Sequence, residues 1–178
     1  RDTDRSRGLG DVYKRQETEN KITLDASGNA AAGDQSTENK TAEPSTLDEL
    51  FGGENLSVTY TGAEIAANYM EGGYYSLDAE QGKTFVIVGI DITNSGADEI
   101  AIDNFAKTPK FSVMVNGQEK AEEENTILPS DFALYQETVP AGVTENTILL
   151  FQVPDSVTSV DSLDLFVNIS GTNYQITL

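Results

Sequence analysis

Apolar and polar residues alternate with a period of two along much of the chain after about residue 55. Leu56, Val58 and Tyr60 alternate with Ser57 and Thr59. Because successive side chains of a strand point to opposite faces, this alternation predicts a strand with one buried face.

The segment TFVIVGIDITN, residues 84–94, is apolar at nearly every position of its first half. As a strand it places Val86, Val88, Ile90 and Ile92 on one face and Phe85, Ile87, Gly89, Asp91 and Thr93 on the other. Strands that are covered on both faces show such continuous apolar runs, so we predict a central strand here.

Further strands are predicted at residues 111–115, 144–154, 162–170 and 172–178. Asn116-Gly117 predicts a tight hairpin turn, and the acidic stretch that follows predicts an exposed edge or loop. Residues 61–83 mix helix and strand patterns around Gly72-Gly73. Short strands, frequent turns and no long helical period predict an all-β fold, an antiparallel immunoglobulin-like β-sandwich of about seven to nine strands over residues 55–178. A closed antiparallel sheet is the alternative.

Three segments with different compositions precede that domain. Residues 1–16 hold five of the eleven basic residues. Their DVYKRQ run resembles a translated sequencing adapter, so we predict a non-native segment and expect the native region before Glu17 to be missing. Residues 17–45 are rich in Glu, Thr, Asn, Ala, Gly and Ser, which predicts a disordered acidic linker. Residues 46–54 predict a short helical turn, capped by Ser45 or Thr46 and ended by Gly52-Gly53.

Composition excludes several kinds of chemistry. The chain has no Cys and no His, which removes Ser/His and Cys/His nucleophilic pairs, disulfides and the usual zinc sites. We therefore predict no catalytic residues, no metal site and no cofactor; a pair of carboxylates acting as in glycosidases is the alternative. The formal net charge of -19 argues against binding to nucleic acid or to an anionic membrane surface.

The order of segments from about Leu56 to Leu178 resembles the DUF4352 family of telokin-like, immunoglobulin-like domains. The resemblance lies in GKTFVIVGIDITNSGADEIAI and in VPAGVTENTILLFQVPDSV. It assigns fold-shaping roles to Gly82, Asn94, Gly142, Phe151 and Pro154, whereas Ala141 departs from the adjacent Pro-Gly that is common in the family. The resemblance implies an exported surface lipoprotein of Gram-positive bacteria, with a linker between the lipid anchor and the domain.

Tyr69, Tyr74 and Tyr75 are the candidate ligand-contact residues. They surround Gly72-Gly73, and tyrosines on a glycine-containing loop provide amphipathic contact area on an adaptable backbone. The alternative is that these rings, together with Tyr60 and Met70, cover the open end of the sandwich core.

Acidic residues also occur in groups that a calcium ion could use, since calcium prefers several oxygen ligands. They are Asp98, Glu99 and Asp103, then Glu122, Glu123 and Glu124, and then Asp155, Asp161 and Asp164. The chain has no EF-hand loop pattern, so the favoured interpretation is a solvated acidic surface.

These observations lead to one functional hypothesis and two alternatives. The hypothesis is a non-catalytic, monomeric binding or adhesion module, extracytoplasmic and either secreted or held at the cell envelope by a lipid anchor outside this sequence. Its partner would be a protein or a glycan. The alternatives are a spacer domain without a ligand and a calcium-stabilised domain.

Overall fold

The computed structural model describes residues 42–178, so the predictions for residues 1–16 and for most of the 17–45 linker lie outside the described residues. The elements are, in chain order, β1 (Glu43–Ser45), α1 (Leu47–Phe51), β2 (Leu56–Ala66), β3 (Asn68–Glu71), β4 (Tyr75–Asp78), β5 (Lys83–Asn94), β6 (Ile100–Ala101), β7 (Lys110–Val115), β8 (Glu119–Glu122), β9 (Thr138–Val139), β10 (Thr144–Pro154), β11 (Leu163–Ile169) and β12 (Thr172–Ile176). A 3₁₀ turn, Phe105–Lys107, lies between β6 and β7.

Two sheets form the main layers. One has five strands in the order β1-β12-β11-β7-β8, and the other has three in the order β10-β5-β2. Neighbouring strands are antiparallel except β1 and β12, which are parallel. The predicted antiparallel sandwich is confirmed. The strand count in the described residues is twelve, above the predicted seven to nine, because β1, β6 and β9 have only two or three residues and β3 and β4 were unassigned.

The main core lies between the two sheets. Val86, Val88, Ile90 and Ile92 of β5 are at most 1 % exposed and point into it, as the alternation predicts. Val113 of β7 and other residues of the five-stranded sheet pack against them. This contact between sheets is what makes the fold a sandwich.

The outer face of the three-stranded sheet carries a second apolar cluster. Phe85 and Ile87 of β5 are buried there with Leu128 and Leu150. The β3-β4 hairpin covers part of this face, with Tyr69 packed against the cluster. The prediction of a central strand is confirmed, because β5 lies between β10 and β2. The β3-β4 hairpin that covers its outer face lies within residues 61–83, where the sequence pattern is mixed.

The helix α1 belongs to the core. Thr46 is its N-cap, with the Thr46 hydroxyl accepting from the Glu49 N–H at 3.1 Å and the Glu49 carboxylate accepting from the Thr46 N–H at 3.0 Å. Its buried Phe51 meets Phe111 at 5.8 Å and Phe132 at 5.0 Å between ring centroids. Residues 46–54 are therefore part of the sandwich rather than a connector outside it.

The predicted linker also extends too far toward the C-terminus. Its last residues, Glu43–Ser45, form β1 and pair with β12 over Tyr174 to Ile176. The Thr177 N–H continues this ladder by donating to the Ser45 carbonyl at 2.8 Å. A three-residue strand containing Pro44 has no alternation to detect, which explains the error.

Buried Asn94 ties the end of β5 to the neighbouring turns. Its amide nitrogen donates to the carbonyls of Asp98 at 2.8 Å and Val139 at 3.0 Å, and its side-chain oxygen accepts from the Gly96 N–H at 2.8 Å. All of its side-chain hydrogen-bonding groups are thus used inside the fold, so Asn94 has a structural role.

One side of the sandwich is closed by residues 123–132. The Glu124 N–H donates to the Leu150 carbonyl at 2.8 Å, and the Ile148 N–H donates to the Ser130 carbonyl at 2.8 Å. The Phe132 N–H donates to the Ile148 carbonyl at 2.9 Å. These bonds occupy outward backbone groups of Ile148 and Leu150, in the middle of β10.

We predict that Phe51→Ala lowers the free energy of unfolding by about 3 to 5 kcal/mol, because it empties the space between two other rings in the core. Leu50→Ala, at the half-buried neighbouring position, serves as the control and should cost about 1 kcal/mol. Urea unfolding followed by circular dichroism measures both. Equal losses in the two variants would show that α1 is not anchored through Phe51.

Candidate functional site

The candidate tyrosines lie on the β3-β4 hairpin. Tyr69 pairs with Leu77, and Glu71 pairs with Tyr75, across the two strands. Gly72 and Gly73 form the turn with φ values of 60° and 73°, a backbone region that glycine adopts without strain. This positive φ at two successive residues explains how the chain reverses here.

The structure separates the three tyrosines. Tyr69 is half-buried against the second apolar cluster, where it helps to cover the sheet. Tyr74, in the turn, is 93 % exposed, and Tyr75 is 42 % exposed. Tyr60, which the sequence grouped with them, packs against the main core instead, and its burial raises the pKa of its hydroxyl.

Two further exposed apolar side chains belong to the same region. Met70 on β3 is 65 % exposed, and Ile127 is 85 % exposed in the loop beside β4. The Ser130 hydroxyl joins this loop to the hairpin by donating to the Glu71 carboxylate at 2.7 Å. With Tyr74 and Tyr75, they make four of the six large apolar side chains that are exposed in residues 42–178.

A groove of about 340 Å³ lies beside the hairpin on the outer face of the three-stranded sheet. It is lined by Thr61, Gly62, Ala63, Glu64, Tyr69, Ile87, Gly89 and Ile148. The pairing register of β2 with β5 shifts between Tyr60 and Gly62, which inserts Thr61 as a bulge. A Cβ atom at Gly89 would collide with the Thr61 hydroxyl, so a side chain at this position could not be accommodated without movement.

Sequence reasoning found only one residue of this groove, Tyr69. The groove depends on Gly62 lying directly opposite Gly89, and the bulge that creates this pairing has no marker in the alternation pattern. Farther along the same face, Asp91 accepts from the Asn146 amide at 2.7 Å.

Most of the candidate acidic residues lie apart on the surface. Asp98, Glu99, Asp103 and the residues near β11 are exposed. The Asp103 carboxylate accepts from the Gln136 amide and the Ala106 N–H, each at 2.9 Å, and these bonds lower its pKa. In residues 42–178, no group of three or more acidic side chains comes together in a way that could hold a metal ion.

Glu123 departs from the prediction of a solvated acidic surface. It is half-buried after β8, and burial, followed by the nearby charge of Asp131, raises the pKa of its carboxyl to about 8. Asp131 is 3 % exposed, and its carboxylate accepts from the Thr126 hydroxyl at 2.6 Å and from the Ala133 N–H at 3.1 Å. A second groove, of about 490 Å³, is lined in part by Glu123, Lys110 and Asn168.

Comparisons with known proteins add structural neighbours only. The chain is similar to an uncharacterized beta-sandwich protein from Clostridium difficile 630, with 18 % identity, 70 % of this chain and 85 % of that chain covered, and a TM-score of 0.44. It is also similar to a conserved hypothetical protein from Bacillus anthracis, with 11 % identity, coverage of 70 % and 89 %, and a TM-score of 0.38.

A third similar structure is the ycdA protein of Bacillus subtilis, described as a "putative lipoprotein", with 11 % identity, coverage of 69 % and 36 %, and a TM-score of 0.36. No protein-family model matches the chain. No curated protein matches it significantly. In the part of the chain that the structure describes, no helix is long and apolar enough to cross a membrane.

We predict that Glu123→Gln changes how stability depends on pH. Between the ordinary glutamate pKa of 4.5 and about 8, the folded chain keeps a proton on Glu123 that the unfolded chain releases. The free energy of unfolding of the wild type therefore falls with rising pH through this window, by about 2 to 4 kcal/mol relative to the variant, which cannot ionise.

Urea unfolding at pH 5, 7 and 9 tests this difference. Glu122→Gln, at the exposed neighbouring position, is the matched control and should follow the wild-type pH dependence. Parallel curves for the wild type and Glu123→Gln would show that Glu123 is ionised in the folded domain at neutral pH.

Proposed function

We propose that this domain is a non-catalytic binding module of the bacterial cell envelope, which binds a protein or a glycan through the β3-β4 hairpin. The observation that carries the proposal is the concentration of exposed apolar side chains there. Met70, Tyr74, Tyr75 and Ile127 are exposed on the hairpin and on the loop bound to it. Exposed apolar surface has a cost in water and commonly marks an interaction site.

The chemistry of these side chains suits recognition. Tyrosine provides a large, rigid contact area with a hydroxyl that can form a hydrogen bond, and few rotatable bonds are fixed on binding. The hairpin has a rigid base because Tyr69 and Leu77 pack against the sheet below it. A fixed base and exposed rings at the turn favour binding without a large rearrangement.

Membership of the DUF4352 family and an extracytoplasmic location are part of the proposal. Both are supported by the residues that carry the family resemblance. Gly82 and Gly142 adopt positive φ values of 80° and 73° in turns, and Phe151 is fully buried in the core. A distant family resemblance depends on positions that shape the turns and the core, and Gly82, Gly142 and Phe151 are such positions. A lipid anchor is what the same resemblance implies, and a secreted chain is the alternative. We propose in addition that the domain is monomeric.

We predict that Tyr74→Ala combined with Tyr75→Ala weakens binding by about tenfold or more, because exposed tyrosines at an interface commonly contribute most of the affinity. The measurement is saturation binding of the fluorescently labelled full chain to isolated cell envelopes of a Gram-positive bacterium. Phe105→Ala is the control, since Phe105 is an exposed aromatic residue, at 53 %, outside the hairpin.

Each result of this experiment has a defined meaning. Saturable binding that is lost in the double variant and kept in Phe105→Ala supports the proposal. Binding that survives the double substitution would place the contact surface elsewhere. If the wild type shows no saturable binding, the spacer alternative replaces the binding module. Treating the envelopes with a protease or a glycosidase then distinguishes a protein ligand from a glycan.

A further inference from the structure

Within residues 42–178, no other strand pairs with the outer edge of β2. The middle of the β10 edge is covered by residues 123–132, which bind the backbone of Ile148 and Leu150. β8 has four residues, three of them charged, and β1 has three residues including Pro44, which has no N–H to donate. β2 has eleven residues, and β5 is the one strand of residues 42–178 that pairs with it. Short, charged or proline-containing edges resist pairing with another strand, whereas a long edge favours it.

The helix α1 covers only the first part of this edge. The Asp48 carboxylate accepts from the Val58 N–H at 2.9 Å, which shows that the backbone groups of Val58 face away from β5. Beyond Val58, no strand in residues 42–178 pairs with this side of β2. The bulge at Thr61 shifts the alternation by one residue, so Ala63 and Ile65 are the next residues whose backbone groups face outward.

The groove reaches this open edge. Four consecutive residues of β2, 61–64, line it, and its far side is formed by Ile87, Gly89 and Ile148. In a strand added to β2, one residue would lie directly opposite Glu64. Its Cβ atom would be about 4.5 to 5.5 Å from the Cβ atom of Glu64. A long side chain at that position would extend into the groove toward the Tyr69 ring.

Charge determines which strand fits. Glu64 is the one charged residue of β2, and the Asp48 carboxylate lies at the start of its outer edge. Residues 42–178 as a whole carry 22 acidic side chains and four lysines. A second copy of the chain would bring like charges together at this edge, whereas lysine or arginine opposite Glu64 would form a cross-strand ion pair. A basic side chain can also contact the face of the Tyr69 ring.

We propose that the open edge of β2 binds an extended, basic peptide segment of a partner protein, which adds as a strand and places a lysine or arginine side chain in the groove. Backbone hydrogen bonds to Ala63 and Ile65 would supply affinity, and the groove would select the basic side chain. This inference goes beyond the proposed binding function, because it assigns a second binding position, at the β2 edge, and the chemical class of its ligand.

The test is an NMR titration of the ¹⁵N-labelled full chain with an acetylated and amidated octapeptide of alternating lysine and threonine. We expect the largest shifts at the amides of Ala63, Glu64 and Ile65. An octapeptide of alternating glutamate and threonine should produce none. Equal effects of the two peptides, or shifts spread over acidic surfaces away from β2, would overturn the proposal.

Two variants separate the backbone contribution from that of charge. Ala63→Pro removes an outward N–H and should weaken binding about tenfold. Glu64→Gln should weaken binding about threefold, whereas Glu43→Gln, the matched acidic position on β1, should leave it unchanged. If Ala63→Pro does not fold, the wild type is titrated with a lysine-threonine octapeptide in which every second backbone nitrogen is methylated. This peptide cannot form the backbone hydrogen bonds of an added strand. Undiminished binding of the methylated peptide would overturn strand addition.

The failures of the two proposals can be distinguished. If the chain binds cell envelopes through Tyr74 and Tyr75 but does not bind the basic peptide, the proposed function stands and the β2 edge is excluded. If the amide shifts of Ala63 and Ile65 depend on protein concentration without peptide, a second copy occupies the edge and the inference is wrong.

Discussion

Burial of both faces of β5 is the constraint on which the layout of this domain depends. A strand whose successive residues are all apolar must be covered twice, since either face alone would leave a row of large side chains in water. The five-stranded sheet covers one face, and the β3-β4 hairpin with the loop around Leu128 covers the other. The hairpin thus stands on the outside of the sandwich because of Phe85 and Ile87, and its exposed turn is a consequence of that position.

The same constraint accounts for the groove and for the buried carboxyl groups. The hairpin covers β5 only near Phe85 and Ile87, and beyond them Gly89 contributes no side chain, so the surface is recessed there. The loop that contributes Leu128 starts and ends close to the main core, which places Glu123 and Asp131 near one another away from water. The Asp131 carboxylate accepts hydrogen bonds from Thr126 and Ala133. Burial, followed by the nearby charge of Asp131, raises the pKa of the Glu123 carboxyl to about 8.

The parts of the fold that follow from one strand's own pattern could be predicted from the sequence. The two faces of β5, the hairpin turn at Asn116-Gly117 and the cap at Thr46 belong to this class. What could not be predicted depends on residues far apart in the chain. β1 is defined by its pairing with β12, the groove by Gly62 meeting Gly89, and the environment of Glu123 by a loop that ends at Asp131. Tyr69 was selected for its chemistry, but only its contact with the sheet separates it from Tyr74 and Tyr75.

The parallel pairing of β1 with β12 has a mechanical consequence. In this arrangement the chain enters at one end of the strand pair and leaves at the opposite end. A pulling force between the segment before Glu43 and the segment after Ile176 therefore acts along the strands. It shears the hydrogen bonds between β1 and β12 simultaneously instead of breaking them one after another. Resistance to such a force is a matter of unfolding rate rather than of equilibrium stability. The pairing of the three residues Glu43–Ser45 with β12 would thus determine the force at which the domain unfolds when it is pulled from both ends.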